Sequence, residues 1–152
     1  TNIFNADLAR KDYLPTDPHL VVSPNNSRGK LAALLISAQN QIDIEIEVLT
    51  DKKMIEIISE KAKNMQVRII IPEKKTVDNP IIPNTQTRIL KSPYPHAKLI
   101  IIDNQRAYTG SINFTSQSLD QNRELGILIS QPNIIERLRN TFEIDWKNAM
   151  VP

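Results

Sequence analysis

From His19 onward the apolar side chains change rhythm repeatedly, from every second position to every third and fourth and back, which is the pattern of an α/β domain. "HLVVS", His19 to Ser23, reads as a short strand. After it Leu31, Leu34, Leu35 and Ala38 share one helix face, with Ser27 placed to cap that helix, so the face should pack on a sheet. "QIDIEIEVL" then alternates strictly, setting Ile42, Ile44, Ile46 and Val48 against Asp43, Glu45 and Glu47, which predicts a strand with one apolar and one polar side. Asp51 opens a second helix striped by Met54, Ile57, Ile58, Lys61 and Ala62, and "QVRIIIP" is an apolar strand stopped by Pro72. Two strand-helix-strand units follow one another in this reading. From Glu73 to Thr87 two prolines and the lack of any period predict a surface loop, open to a substrate-facing role, with Lys74 and Lys75 as solvated charges. "TRIL", "AKLIIID", "RAYTG" and "RELGILIS" read as further strands, and a closing helix carries Ile135, Leu138, Phe142 and Trp146 on one face. The expected architecture is a mixed β-sheet with helices on both faces, spanning residues 19–152 behind an N-terminal extension, residues 1–18.

The chain's 152 residues suffice for one domain with one continuous core. A net charge of +2 is too small to argue for nucleic acid, which needs clustered Lys and Arg. The lack of cysteine excludes disulfides, thiolate metal ligands and a cysteine nucleophile, while leaving the compartment open. No apolar run approaches a membrane span, and "TNIFNADLAR" has neither an initiator Met nor the layout of a signal peptide. The chain therefore reads as a soluble piece, processed or cut, and a membrane-peripheral or secreted setting in bacteria is compatible with it.

The most informative stretch is "PHAKLIIIDNQRAYTGSIN", Pro95 to Asn113. Residues two apart on a strand point to one face, so His96 and Lys98 should point together at the end of a strand whose Leu99, Ile100, Ile101 and Ile102 are buried on both sides. Pro93 and Pro95 should hold the approach to His96 extended. Asp103 and Asn104 form a turn into "RAYTG", and Gly110 allows a sharp bend that presents Ser111 and Asn113 beside the first pair. On "RELGILIS", Gly126 shares a face with Glu124 and should clear space beside that carboxylate. A carboxylate near a histidine fixes its tautomer and frees the other ring nitrogen for attack, which makes Glu124 the candidate for orienting His96.

The spacing is that of the HKD motif of the phospholipase D superfamily, His-x-Lys-x4-Asp-x6-Gly-Ser-x-Asn, matched without a gap by His96, Lys98, Asp103, Gly110, Ser111 and Asn113. "VVSPNNSRGKLAALLISAQNQIDIEIEVLTD" and "NRELGILI" resemble the flanks of the bacterial phospholipase D and cardiolipin synthase branch, so the resemblance covers nearly the whole chain. It implies a phospholipase D-like half and cleavage or transfer of phosphodiesters with no metal or other cofactor, through a phosphohistidine intermediate. By that resemblance His96 is the nucleophile on phosphorus or the general acid for the leaving alcohol. Lys98 and Asn113 donate to the non-bridging phosphate oxygens, Ser111 supports that network, and Asp103 is chiefly structural.

A histidine nucleophile with a separate histidine acid needs two motif copies, yet the chain has two histidines in all and His19 has no motif around it. A second HKD half, from a preceding repeat or from a homodimer, is therefore the expected partner. "FNADLAR" from Phe4 echoes "FEIDWKN" from Phe142, which favours the C-terminal one of two repeats. Bland readings stand beside these. A lone strand-end His or Lys is usually solvated, Ser111 and Asn113 are common turn residues, and Glu124 could pair with Arg123 or Arg106. Asp43, Glu45 and Glu47 read as a polar strand face or a contact with the other half, with any one of them able to line the site. The leading function is a phosphodiesterase acting on phospholipids. The alternatives are a metal-independent nuclease of the same superfamily and a non-catalytic half, because the motif's chemistry touches only the phosphodiester.

Overall fold

The computed structural model describes residues 2–11, 15–73 and 79–152. Lys74 and Lys75 lie outside the described residues. The elements run α1 (Asn2–Leu8), β1 (Leu20–Ser23), α2 (Ser27–Ile36), β2 (Gln41–Ile46), α3 (Lys52–Ala62), β3 (Gln66–Pro72), β4 (Gln86–Leu90), β5 (Lys98–Ile102), β6 (Arg106–Gly110), α4 (Ser116–Asp120), β7 (Glu124–Ile129) and α5 (Pro132–Asn148). The strands form one seven-stranded sheet in the order β1-β7-β6-β5-β2-β3-β4. β2, β3 and β4 are parallel neighbours, and β5, β6, β7 and β1 continue the sheet antiparallel. Of the two strand-helix-strand units read in the sequence, only β2-α3-β3 joins adjacent strands. β1 lies at the far edge against β7.

The expected mixed sheet with helices on both faces is what the chain forms. On one face Leu31, Leu34 and Leu35 of α2 and Met54, Ile58 and Ala62 of α3 bury Ile42, Ile44, Ile69, Ile100, Ile102 and Tyr108. On the other, Ile135, Phe142 and Trp146 of α5 pack on Ile70, Leu99 and Ile101. β5, apolar on both sides, is buried throughout, as a strand sandwiched between two helical layers must be.

Two local readings change. Ser27 does not cap α2: Asn26 holds the cap position without a side-chain hydrogen bond to the helix, and the Ser27 hydroxyl donates instead to the Leu119 carbonyl at 2.6 Å. The acidic side of β2 is not a solvated face. Asp43 and Glu45 are 1% and 4% exposed because α5 covers them. Asp43 takes a bidentate pair from Arg68 at 2.7 and 2.8 Å, and Arg68 also reaches Glu143 at 2.6 Å and lies 4.9 Å from the Phe142 ring centroid. α4 escaped the sequence reading because five residues are too few to show a helical period.

Candidate functional site

The site forms where the end of β2, the lead-in to β5 and the segment after β6 meet. β2 and β5 are antiparallel with Ile46 opposite Lys98, so Glu47, one residue further, lies beside the segment preceding Lys98. The segment after β2 is zipped to the one after β6: Phe114 N–H donates to the Val48 carbonyl at 3.0 Å, and Thr50 and Asp51 N–H both donate to the Phe114 carbonyl at 2.8 Å. Within that zipper Val48 N–H donates to Asn113 Oδ1 at 3.1 Å, which sets Asn113 next to Glu47. Arg28 braces the base of this arrangement by pairing with Asp51 at 2.8 Å and Asp120 at 2.6 Å, joining the starts of α2 and α3 to the end of α4.

Lys98 Nζ donates to Glu47 Oε2 at 2.7 Å and to the His96 carbonyl at 3.0 Å. His96 Nε2 lies 3.3 Å from the same Glu47 oxygen, and the Tyr94 hydroxyl donates to Glu47 Oε1 at 3.4 Å. Lys98 is 3% exposed, Glu47 22% and His96 77%, so a buried cation lies under a half-buried carboxylate with an imidazole open to solvent above them. Burial works against the charge on Glu47, but the Lys98 ammonium, His96 and the Asn113 side chain outweigh it and hold the carboxyl below its ordinary value. An arrangement that gathers Lys98, His96 and Asn113 around one carboxylate is chemically able to hold a phosphoryl group there.

The sequence expectations fare unevenly. His96, Lys98 and Asn113 are brought together. His96 lies before β5 rather than on it, and the chain bends at Ser92 and Pro93, joined by a cis peptide, ahead of it. Ser111 faces elsewhere: its hydroxyl is engaged with the Leu125 backbone, at 3.4 Å to the carbonyl and 3.3 Å from the N–H. Glu124 accepts from Asn122 Nδ2 at 3.1 Å, and the carboxylate on His96 within the chain is Glu47, because the end of β2 rather than the start of β7 borders the lead-in to β5. Arg123 pairs with Asp7 at 2.7 Å. His19, the other histidine, sits against Asp17 at 3.3 Å.

Both glycines have packing reasons that differ from those expected. Gly110 has no positive φ, and a Cβ there would stand 2.5 Å from Gly126 Cα and from the Leu125 carbonyl, so its smallness permits the close approach of β6 and β7. Gly126 clears space for Tyr108 rather than for Glu124, since a Cβ would meet the Tyr108 ring at 2.2 Å. Tyr108 in turn accepts from Ile112 N–H at 3.3 Å, which ties this packing to the Ser111–Asn113 segment. Asp103 and Asn104 do form the turn, both with positive φ of 53° and 54°. Asp103 Oδ1 accepts from Asn40 and Gln41 N–H at 2.7 and 2.9 Å, and Oδ2 from Gln39 N–H at 2.9 Å.

Glu47 is the residue that sequence reading did not single out. It stood as one of three equivalent acids on β2, and only the register with β5 separates it from Asp43 and Glu45. Tyr94, between Pro93 and Pro95, carried no signal beyond its place two residues before His96. Among the described residues no group of three or more His, Asp or Glu side chains gathers to hold a metal ion, and no helix is long and apolar enough to cross a membrane.

The family described as cardiolipin synthase, PLD-like domain, matches residues 31–146. No curated protein matches the chain. Among solved structures, Nuc from Salmonella typhimurium, a phospholipase D family member, superposes with a TM-score of 0.78 at 23% identity, over 88% of this chain and 95% of that one. NucT from Helicobacter pylori gives 0.76 at 19% identity, over 88% and 97%. Phosphatidylserine synthase from Haemophilus influenzae gives 0.69 at 14% identity, over 99% of this chain and 45% of that one. At these identities the likeness speaks for the fold.

Proposed function

The chain belongs to the PLD-like domain family described under cardiolipin synthase, and from that premise we propose that it is a metal-independent phosphodiesterase working through a phosphohistidine at His96. The observation that carries the reading is the convergence of Lys98, His96 and Asn113 on the Glu47 carboxylate, where non-bridging phosphate oxygens would be held. In the proposed reaction the unprotonated Nε2 of His96 attacks phosphorus, and the bond to the leaving alcohol breaks as that oxygen takes a proton from a second histidine. Water, giving its proton back to that second histidine, then attacks the phosphohistidine, and the N–P bond breaks to return free His96 and the monoester. Lys98 and Asn113 offset the charge that builds on the phosphoryl oxygens. His96 could equally serve as the acid when its partner's histidine attacks. Within one chain Ser111 is engaged with the Leu125 backbone and Glu124 with Asn122, so the direct role of Glu124 in this reading comes through the second half.

That second histidine belongs to another HKD half. The likeness to Nuc and NucT over nearly their whole chains supports a second copy of this domain as the partner. The placement as the C-terminal one of two repeats rests on the Phe4 echo and on the layout that the resembling family flanks imply. Both echoing segments are helical, but Phe142 is fully buried while Phe4 is 68% exposed. β7 turns Leu125 and Ile127 outward at 43% and 47% exposure, an apolar face available to the other half.

For the substrate, the sequence resemblance put phospholipid first. The fold likeness favours the second reading, a metal-independent nuclease, since Nuc and NucT superpose better and over more of their length than phosphatidylserine synthase does. The test is an assay in EDTA on a nucleic acid, a phospholipid vesicle and a simple diester, with the solution mass measured alongside. Turnover lost in His96→Ala supports the assignment, and full activity in that variant sinks it.

A further inference from the structure

We infer that Glu47 is a specificity-determining residue: its carboxylate occupies the phosphate position as an internal anion and admits singly charged phosphodiesters while excluding phosphomonoesters and inorganic phosphate. The identity of the anion rests on the phosphodiesterase reading. The exclusion rests on geometry.

Lys98 is almost wholly buried, and its ammonium is engaged by Glu47 Oε2 and the His96 carbonyl. A phosphoryl oxygen can reach Nζ only by displacing or sharing the place of that carboxylate. The same Glu47 oxygen faces His96 Nε2 at 3.3 Å, a contact that is attractive only when the nitrogen carries a proton, whereas attack on phosphorus requires its lone pair. Displacing Glu47 therefore frees both groups at once. Its main chain cannot move away with the carboxylate: the Glu47 carbonyl accepts from Asn79 Nδ2 at 3.0 Å, and the next residue is held by Asn113. The displaced carboxylate swings about a fixed Cα and stays within a few ångströms of the bound phosphate.

That residual proximity discriminates by charge. Every unit of negative charge on the ligand is repelled by the retained carboxylate, so a dianion is penalised about twice as much as a monoanion at the same distance. The site opens to solvent at His96, which screens the penalty to about tenfold for a dianion and threefold for a monoanion, a discrimination of about threefold rather than the thousands a dry pocket would give. A carboxylate that left the site wholly on binding would show no such difference, because the cost of displacing it would be the same for every anion.

The test is binding, not turnover. Inorganic phosphate and dimethyl phosphate are titrated at pH 8 against the wild-type chain and Glu47→Gln, following the His96 ring resonances. About tenfold tighter phosphate in Glu47→Gln, with dimethyl phosphate gaining threefold or less, is the expected result. Equal gains for both ligands, or none, overturn the inference. Should Glu47→Gln fail to fold, Glu47→Asp draws the carboxylate back by one methylene and is expected to bind phosphate two- to fivefold tighter, and unchanged binding there counts against the proposal. Because no hydrolysis is needed, selectivity without any diester turnover would refute the phosphodiesterase reading alone. Turnover without selectivity would refute the role of Glu47 alone.

Discussion

Replacing Asp103 with Asn should cost the fold and spare the chemistry, although Asp103 is one of the motif's named residues. Its carboxylate closes the β5–β6 turn against the β2 approach by accepting three backbone N–H bonds at 2.7 to 2.9 Å. Burial opposes its ionisation, but the N–H groups of Gln41, Asn40 and Gln39 outweigh that and hold the carboxyl below its ordinary value. An Asn in its place keeps one accepting oxygen and turns an NH2 group toward the N–H that Oδ2 now serves. One charge-assisted bond is lost outright and two are weakened, which would be about 1.5–3 kcal/mol in a buried setting. Gln39 and Asn40 are exposed, so about 1.5 kcal/mol is the appropriate figure, or a fall in Tm of about 3–6 °C for a domain of this size. Asn tolerates the positive φ of 53° at this position, whereas Asp103→Ala adds about 1 kcal/mol for the left-handed backbone. Activity should be unchanged, since β5 separates Asp103 from Lys98 by about 16 Å at ~3.3 Å per residue. The pH dependence gives a second check. A depressed pKa contributes stability that is present above the unfolded value of about 3.9 and lost as pH falls through the folded value. The gap in Tm between wild type and Asp103→Asn should be constant from pH 8 to about 5 and close in stronger acid. A wild-type Tm, or a folded variant with no activity, would refute the reasoning.

Further outcomes follow from the packing and from the buried acids. Gly126→Ala forces a Cβ to 2.2 Å from the Tyr108 ring, itself 1% exposed and unable to yield, and should destabilise by about 2 kcal/mol or more in thermal melts. Because Tyr108 bonds Ile112 N–H, activity should also fall at temperatures where the variant remains folded. Burial, followed by the nearby Asp145 charge, raises Glu45 from 4.5 to about 7. The folded state then retains a proton that the unfolded chain releases, so stability should be highest below pH 4.5 on this account and fall as pH rises toward 7. Glu45→Gln should flatten that slope in melts taken across the window and raise Tm at pH 8. Asp145, raised by burial as well, leaves a residual slope.

Much of the fold was legible because apolar side chains recur at strand and helix periods, as in Ile42–Ile46 and in the Ile135, Phe142 and Trp146 stripe. The motif's spacing likewise identified the three groups that converge. What escaped depended on contacts between distant segments. Asp43 and Glu45 read as a polar strand face because nothing in β2 itself announces that α5 will lie over them with Arg68 as the charge paired to Asp43. Gly126 signalled that something needed space, and only the β6–β7 register names Tyr108 as the occupant. Glu47 could not be told from its two neighbours before the end of β2 was placed beside the lead-in to His96. Glu124 was chosen for the reason that Glu47 satisfies within one chain, a carboxylate within reach of the histidine.

The most direct test of the central claim is to quench a diester reaction in alkali during turnover, with EDTA present, and locate phosphorus on the chain. A phosphoryl group on the imidazole of His96, formed and lost at the rate of turnover and missing in His96→Ala, is the predicted result. Turnover that proceeds with His96 unmodified and unneeded would contradict the account.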